Sequence, residues 1–353
     1  MPIDTKLPAE LQLIVPNLHR RYSGVTATNR MVAPRLANMF RAAWLGSDAP
    51  DGIARMGFAD LMKLWRRSTP LIWHARRNDE MIVGLLLKIF GWRLHLVFTS
   101  AAQRHHTWIT RFLISRMDAV IATSEAAASY LHRAATVIHH GVDSDAYAPP
   151  QDRLRAFAET GLPGKYGIGC FGRVRAQKGT DVFVEAMCRL LPRYPEFTAV
   201  IVGAITPEER GFADELRGRI AAAGLADRVR LLGELPVDEV PLWYQRISIY
   251  VFASRVEGFG LTLLEAMAAE NAVVASRTGA AEVLITEGET GCQVPPGDAA
   301  ALAAALEPLL RDPRRAAEMA RRARARVVSD FSIGAEADRI AKVYRKVWAG
   351  ARA

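Results

Sequence analysis

The chain has little cysteine. Its three residues of this type, Cys170, Cys188 and Cys292, are scattered and have no metal-knuckle spacing. That excludes a disulfide scaffold and a thiolate metal site, and it fits reduced thiols in a cytoplasmic protein. Long apolar runs are also missing: stretches such as Met81 to Leu87 are too short to cross a bilayer. The opening Met1–Glu10 lacks the charged segment and apolar run of a secretory signal. No glycine loop closes with Gly-Lys-Ser/Thr, so a Walker A site is excluded. No G-x-G-x-x-G follows either opening strand, which argues against a redox dinucleotide enzyme. No His/Cys/Asp cluster marks a metal centre, and none is expected.

What is present is an apolar half, a charged quarter and a net charge of +9 carried mostly by arginine. Without a nucleic-acid motif or a basic stretch interleaved with aromatics, nucleic acid is not the expected partner. An anionic membrane surface or acceptor, or simply solvated helix faces, accounts for the charge.

Strand-length apolar runs alternate with helical patterns along nearly the whole chain. The first half offers strands at Leu11–Val15, Ala42–Leu45, Leu71–His74, Leu94–Thr99, Ala119–Thr123 and Thr136–His139. The second offers Tyr166–Phe171, Ala199–Val202, Val229–Leu232, Ile249–Ala253, Ala272–Ala275 and Gly291–Val294. Continuous apolar strands separated by helices predict parallel sheets covered on both faces, hence an α/β protein of two doubly wound, Rossmann-like domains facing across a cleft. The Pro149-Pro150 pair reads as the linker. The expected division is 1–148 for the N-terminal domain and 149–333 for the C-terminal domain, with the helix 334–353 packing back onto the first. Ligands of such sheets bind beyond the carboxyl ends of the strands.

Two segments of the second half carry chemistry. Glu257-Gly258-Phe259-Gly260-Leu261 runs into a helical start that contains Glu265, directly after the strand pattern Ile249–Ala253. A strand, a glycine loop and a helix start put backbone N–H groups and a positive helix end beside two carboxylates. That suits a ligand with a diphosphate at one end and a polyol at the other. The bland alternatives are a capping box for Thr262-Leu263-Leu264-Glu265 and an exposed loop acid for Glu257. The other segment, Gly172-Arg173-Val174-Arg175-Ala176-Gln177-Lys178-Gly179, lies between a strand and a helix. There Gly172 permits a sharp turn, and Arg173 and Lys178 sit where a phosphate binds. A solvated basic loop is the alternative.

With these residues the chain resembles the retaining glycosyltransferases of the GT-B fold (glycosyltransferase family 4, group 1). The E-x7-E element is met at Glu257 and Glu265, and the Gly-Arg…Lys-Gly element at Gly172-Arg173 and Lys178-Gly179. His140-Gly141-Val142-Asp143, Thr278-Gly279-Ala280-Ala281-Glu282 and Gly288-Glu289-Thr290-Gly291 match as well. The resemblance implies that Arg173 and Lys178 hold the donor diphosphate and that Glu257 contacts the donor sugar. Backbone amides of Gly258, Phe259, Gly260 and Leu261 would meet sugar hydroxyls or phosphate, and Glu265 the ribose. Gly233 and Leu235, in Leu232–Pro236, would border the nucleobase. Ser23 and Gly24 occupy the place of a glycine loop near the diphosphate. No cofactor or metal is implied, only a nucleotide-sugar substrate.

Many relatives carry a histidine just after the strand ending in Leu96-Val97-Phe98-Thr99. Here Ser100 or Ala101 stands there, so no catalytic histidine is transferred. His74 ends a predicted strand and either faces the cleft as a substrate-binding residue or is a structural strand-end histidine. His105 and His106 flank a helix start.

The runs Trp73-His74-Ala75-Arg76 and Phe98–Thr107 are similar to the lipopolysaccharide-core mannosyltransferases of rhizobia and related bacteria. That likeness implies GDP-mannose as donor and an inner-core acceptor at 3-deoxy-manno-octulosonic acid (Kdo) on lipid A. A membrane-bound anionic acceptor would employ first-half arginines such as Arg20, Arg21, Arg66, Arg67, Arg76, Arg77 and Arg104. The stretch Gly57–Arg67 would lie on the cytoplasmic face of the inner membrane or pack as an ordinary helix. The competing functions are hexose transfer from a UDP-sugar to another acceptor, a GT-B sugar-nucleotide epimerase, and a non-catalytic nucleotide-sugar-binding protein.

Overall fold

The computed structural model describes residues 10–19, 24–65 and 67–350. The chain divides into two compact units, one running up to Gly141 and resuming at Ile333, the other spanning Val142–Ser332.

In the first unit the elements run β1 (Leu13–Pro16), α1 (Gly24–Ala37), β2 (Ala42–Leu45), β3 (Ala54–Met56), α2 (Phe58–Lys63), β4 (Leu71–Ala75), α3 (Asn78–Ile89), β5 (Leu94–Ser100), α4 (Trp108–Ser115), β6 (Ala119–Ala122), α5 (Glu125–Ser129) and β7 (Thr136–Val137). All pairings are parallel, in the order β3-β2-β1-β4-β5-β6-β7. Strands such as Leu-Ile-Trp-His-Ala in β4 are buried throughout, as a sheet covered on both faces requires. One face packs Ile14, Leu45, Trp73, Leu96 and Val120 against α3 and α4. The other packs Val15, Trp44, Ile72, Val97 and Ile121 under α1 and the final helix.

In the second unit they run α6 (Arg153–Ala158), β8 (Tyr166–Phe171), α7 (Thr180–Leu190), β9 (Phe197–Val202), α8 (Arg210–Ala222), β10 (Val229–Gly233), α9 (Val240–Arg246), β11 (Ile247–Phe252), α10 (Leu261–Ala268), β12 (Ala272–Ser276), α11 (Ala281–Leu284), β13 (Cys292–Val294), α12 (Ala299–Arg311) and α13 (Pro313–Asp330). The parallel order is β10-β9-β8-β11-β12-β13. The last helix, α14 (Ile333–Trp348), belongs to the first unit, where Ile340, Tyr344 and Val347 are buried beside α1.

Each sheet is wound in both directions from a central pair, β1/β4 in the first unit and β8/β11 in the second. Where the winding reverses, the loops leaving the two strands part to opposite faces and open a crevice at the carboxyl ends. Beyond β8 and β11 lie Gly172–Gly179 and Ser254–Gly260; beyond β4 lies Arg76. The short edge strand β3 was not expected, because Ala-Arg-Met shows no run long enough to read. Among the described residues no helix is long and apolar enough to cross a membrane.

Candidate active site

The backbone of the second unit explains why Lys178 and Glu257 meet. Gly172 ends β8 at φ +136, its N–H donating to Val202 O at 2.8 Å. The loop then closes on Gly179, at φ +68, where an added Cβ would stand 1.9 Å from Ala253 O. Only glycine lets the chain pass this close to the end of β11. The two loops are tied further: the Arg255 N–H donates to Gln177 O at 2.8 Å, and the Arg255 guanidinium grips Asp181 with two bonds of 2.7 Å. On this scaffold Lys178 Nζ donates to Glu257 Oε2, across 79 residues of sequence. The other carboxylate oxygen accepts from the Gly258 N–H at 3.1 Å, and Ser254 Oγ lies 3.4 Å from Oε2. Both side chains keep some access to solvent, 25% for Lys178 and 19% for Glu257. Arg173, exposed on the same loop, has no hydrogen bond or ion pair among the described residues, so its fork is available to a phosphate.

Gly260 begins α10 at φ +103, and its Cβ position is blocked by the Phe252 ring at 2.9 Å. Leu261 and Thr262 therefore form the first turn, where helical N–H groups have no intrahelical acceptor. Phe259 contributes backbone only, since its ring is buried in the core and its carbonyl accepts from the Ala280 N–H at 2.8 Å. Glu265 is not part of a capping box, because α10 is capped by Gly260 without a side-chain bond. It is half-buried and accepts from Tyr244 OH at 2.8 Å. Burial pushes its carboxyl above the ordinary range, while phenol bonds from Tyr244 and Tyr147 pull the other way. Tyr244 is itself wholly buried against Phe171, Tyr250 and Tyr147. Sequence reasoning missed both tyrosines, since a phenol in an apolar helix or a linker carries no motif.

Gly233, at φ +80, closes β10 and accepts from the Gly203 N–H at 2.8 Å, which sets the carboxyl ends of β9 and β10 side by side. Leu235 follows, half-buried against the core. The downstream Thr278 Oγ1 donates to Ser254 O at 3.2 Å and so braces the Glu257 loop. Among the described residues no three His, Cys, Asp or Glu side chains gather into a group that could hold a metal ion. The Asp143-Ser144-Asp145 triplet forms a turn in which Asp143 Oδ1 accepts from the N–H groups of Asp145 and Ala146.

In the first unit Gly24 starts α1, exposed, while Ser23, Arg20, Arg21 and Arg66 lie outside the described residues. His74 departs from the expectation of a ligand-facing residue. It is 1% exposed, and both ring nitrogens are occupied: Nδ1 by Tyr344 OH at 2.5 Å and Nε2 by Thr99 Oγ1 at 2.7 Å. Its position one residue before the end of β4 turns it under α14, and burial together with the Arg76 charge holds it neutral, well below the usual histidine range. His140 is likewise spent on the fold, its Nδ1 3.0 Å from Glu336 Oε1, while the Gly141 N–H donates to Glu336 Oε2 at 2.8 Å.

Paired doubly wound sheets, with a lysine–glutamate pair and a second glutamate at the crevice of the second, define a GT-B glycosyltransferase. The sequence profile of glycosyl transferases group 1 matches residues 152–326, and the chain belongs to that family. It is 47% identical over 343 residues to the lipopolysaccharide core biosynthesis mannosyltransferase LpcC of Rhizobium leguminosarum bv. viciae, covering 96% of this chain and 97% of that one. Identity to the lipopolysaccharide core biosynthesis mannosyltransferase LpsB of Rhizobium meliloti is 43%, covering 96% and 98%. Among solved structures, the C-terminal domain of the group 1 glycosyl transferase LpcC from Francisella tularensis covers 55% of this chain and all of that domain, at 38% identity and TM-score 0.53. Anabaena HepE in complex with UDP and glucose covers 96% of this chain and all of that one at TM-score 0.81; its 21% identity establishes the fold alone.

Proposed function

We propose that the protein transfers mannose, with retention, from GDP-mannose to the Kdo region of the lipopolysaccharide inner core. The observation that carries the catalytic part is the Lys178–Glu257 pair joining the loops that leave β8 and β11, with Arg173 on the first loop and the first turn of α10 following the second. The reading of donor and acceptor draws on the full-length likeness to the two rhizobial enzymes.

In this reading the donor diphosphate lies against Arg173, Lys178 and the N–H groups of Leu261 and Thr262. The cations stabilise charge as the sugar–phosphate bond lengthens, in a role that needs no metal. Glu257 positions the sugar while its pairing with Lys178 keeps the ammonium in place. Glu265, held by its tyrosine, accepts from the ribose hydroxyls. Gly233 and Leu235 border the base. The acceptor hydroxyl attacks from the leaving group's side, and the departing phosphate takes its proton. The task of the protein is placement and electrostatics.

The acceptor is membrane-bound, and the first unit has a surface suited to it. Phe58, Met62 and Trp65 on or after α2, Ile89 and Phe90 at the end of α3, and Trp108 on α4 are all exposed. Trp65 Nε1 donates to Phe90 O at 3.0 Å, so these segments adjoin. Arg93, Arg104 and Arg111, close to these residues in sequence, are exposed as well. This pattern supports peripheral binding at the cytoplasmic face of the membrane. Vesicles with and without anionic lipid test it: stronger sedimentation with the anionic ones is expected, and equal binding would remove the idea.

The function is tested by incubating the protein with GDP-mannose, UDP-glucose or UDP-galactose and a Kdo–lipid A acceptor, then weighing the lipid. One added hexose from GDP-mannose is expected. Product from a UDP-sugar alone overturns the donor, and donor consumption without any acceptor points to an epimerase.

A further inference from the structure

Two neighbouring arginines follow β4, and the fold uses only one of them. Arg77 Nη1 donates to Asn17 Oδ1 at 3.0 Å, Nη2 to Thr26 Oγ1 at 2.7 Å, and its guanidinium lies 3.5 Å from Glu80 Oε1. Arg76 is 7% exposed, yet its Nε and Nη2 are buried without any hydrogen-bond partner. Among the described residues no nearby acid bonds to the Arg76 guanidinium, although Glu80 Oε1 is itself buried without a hydrogen-bond partner. Glu80 Oε2 accepts from the Arg76 and Arg77 N–H groups at 2.7 and 3.2 Å, and Glu336 is held by His140 and Gly141. A buried guanidinium with idle N–H groups is costly, and natural folds retain one where an anion completes it.

A second unsatisfied group shares the same edge. Thr123 is 1% exposed, and its Oγ1 has no partner. Arg76 and Thr123 each stand one residue past the carboxyl end of their strands, β4 and β6, with β5 between. The register pairs Ala75 with Phe98 and Ser100 with Ala122, which puts both residues on the face covered by α14. Two strand spacings and a two-residue stagger along the strands, about 12 Å in all, separate the two positions, a gap that an arginine and one oxyanion can bridge. β4 is also one of the two strands at which the winding of this sheet reverses, where doubly wound sheets take their ligands.

We infer that Arg76 and Thr123 form a receptor for an oxyanion of the acceptor, a sugar carboxylate or a phosphate. The guanidinium fork grips two oxygens and the threonine hydroxyl donates to one of them. The inference rests on the reading of an anionic acceptor, and it assigns the N-terminal unit a specificity-determining residue for that acceptor.

Binding to the intact protein tests it without any donor. Kdo monosaccharide, its methyl ester and inorganic phosphate are titrated calorimetrically into the wild type, Arg76→Gln and Arg76→Lys. Wild type is expected to bind the free acid or phosphate. Arg76→Gln should weaken that ligand by about 10- to 100-fold, the range for losing a charge-assisted bond, and Arg76→Lys by less. Binding of Kdo but not its ester assigns the carboxylate; binding of phosphate alone assigns a phosphate. No binding of either, or equal binding by Arg76→Gln, overturns the receptor. So does a marked drop in the melting temperature of Arg76→Gln that Arg76→Lys restores, because the guanidinium would then serve the fold. If anion binding behaves as expected while wild type transfers nothing from GDP-mannose to Kdo–lipid A, the proposed function fails and the receptor stands.

Discussion

Replacing Lys178 by alanine separates catalysis from stability at one position. The ammonium is a quarter exposed and its partner carboxylate a fifth exposed. A pair so open to solvent contributes no more than about 1 kcal/mol to folding. The loop holding it is fixed independently by Gly179 against Ala253 and by the Arg255–Asp181 clamp, so the fold survives the loss. On the proposed placement of the diphosphate, catalysis depends on the ammonium far more. A preorganised donor aimed at developing charge lowers the barrier by about 2.7–4 kcal/mol, and its removal slows turnover by roughly 100- to 1,000-fold. The variant also leaves Glu257 as an uncompensated anion where the proposal puts the diphosphate, which would add to the loss. The assay is initial rate at saturating donor and acceptor, with a thermal melt on the same sample. A fall in kcat of about 100-fold or more with a nearly unchanged Tm is expected. Turnover within tenfold of wild type, or a rate loss no greater than the loss of folded protein, would refute the placement of the diphosphate on Lys178.

Tyr244→Phe removes the phenol that holds Glu265 but keeps the aromatic packing around it. Losing one bond to a carboxylate costs about 1.5–3 kcal/mol; donor KM is expected to rise roughly tenfold or more with little change in kcat, and an unchanged KM would show that Glu265 does not hold the ribose. Glu80 gives a pH test. Burial pushes its carboxyl from 4.5 up to about 7, so the folded state holds the proton more tightly than the unfolded one. Its stabilising contribution is whole below pH 4.5 and is lost as pH rises toward 7, by ~3 kcal/mol. Chemical denaturation of wild type and Glu80→Gln across that window should show the difference between them shifting with pH, and parallel curves would sink the assignment.

The reaction family was legible because its residues sit in local patterns. Strand, glycine loop and helix follow one another at Ile249–Ala268 and again at Tyr166–Leu190, and the positions of Arg173, Lys178, Glu257 and Glu265 within them are fixed by short spacings. Apolar strands alternating with helices gave parallel sheets for the same reason, since burial on both faces leaves a continuous apolar run. His74 was left open between two readings because a strand-end histidine looks the same in sequence whether it meets a ligand or a helix arriving from the far end of the chain. Its partner Tyr344 is 270 residues away.

The sequence by itself determined the α/β class, the membership in a glycosyltransferase family and the loops that carry charge, because these rest on interactions between near neighbours along the chain. Only the tertiary structure decided which charges are already paired. It joined Lys178 to Glu257, placed Tyr244 on Glu265, spent Arg77 on Asn17 and Thr26, and left Arg76 buried with idle N–H groups. Hydrogen bonds and desolvation depend on distance in space, and for these residues that distance is set by the order in which strands assemble into a sheet.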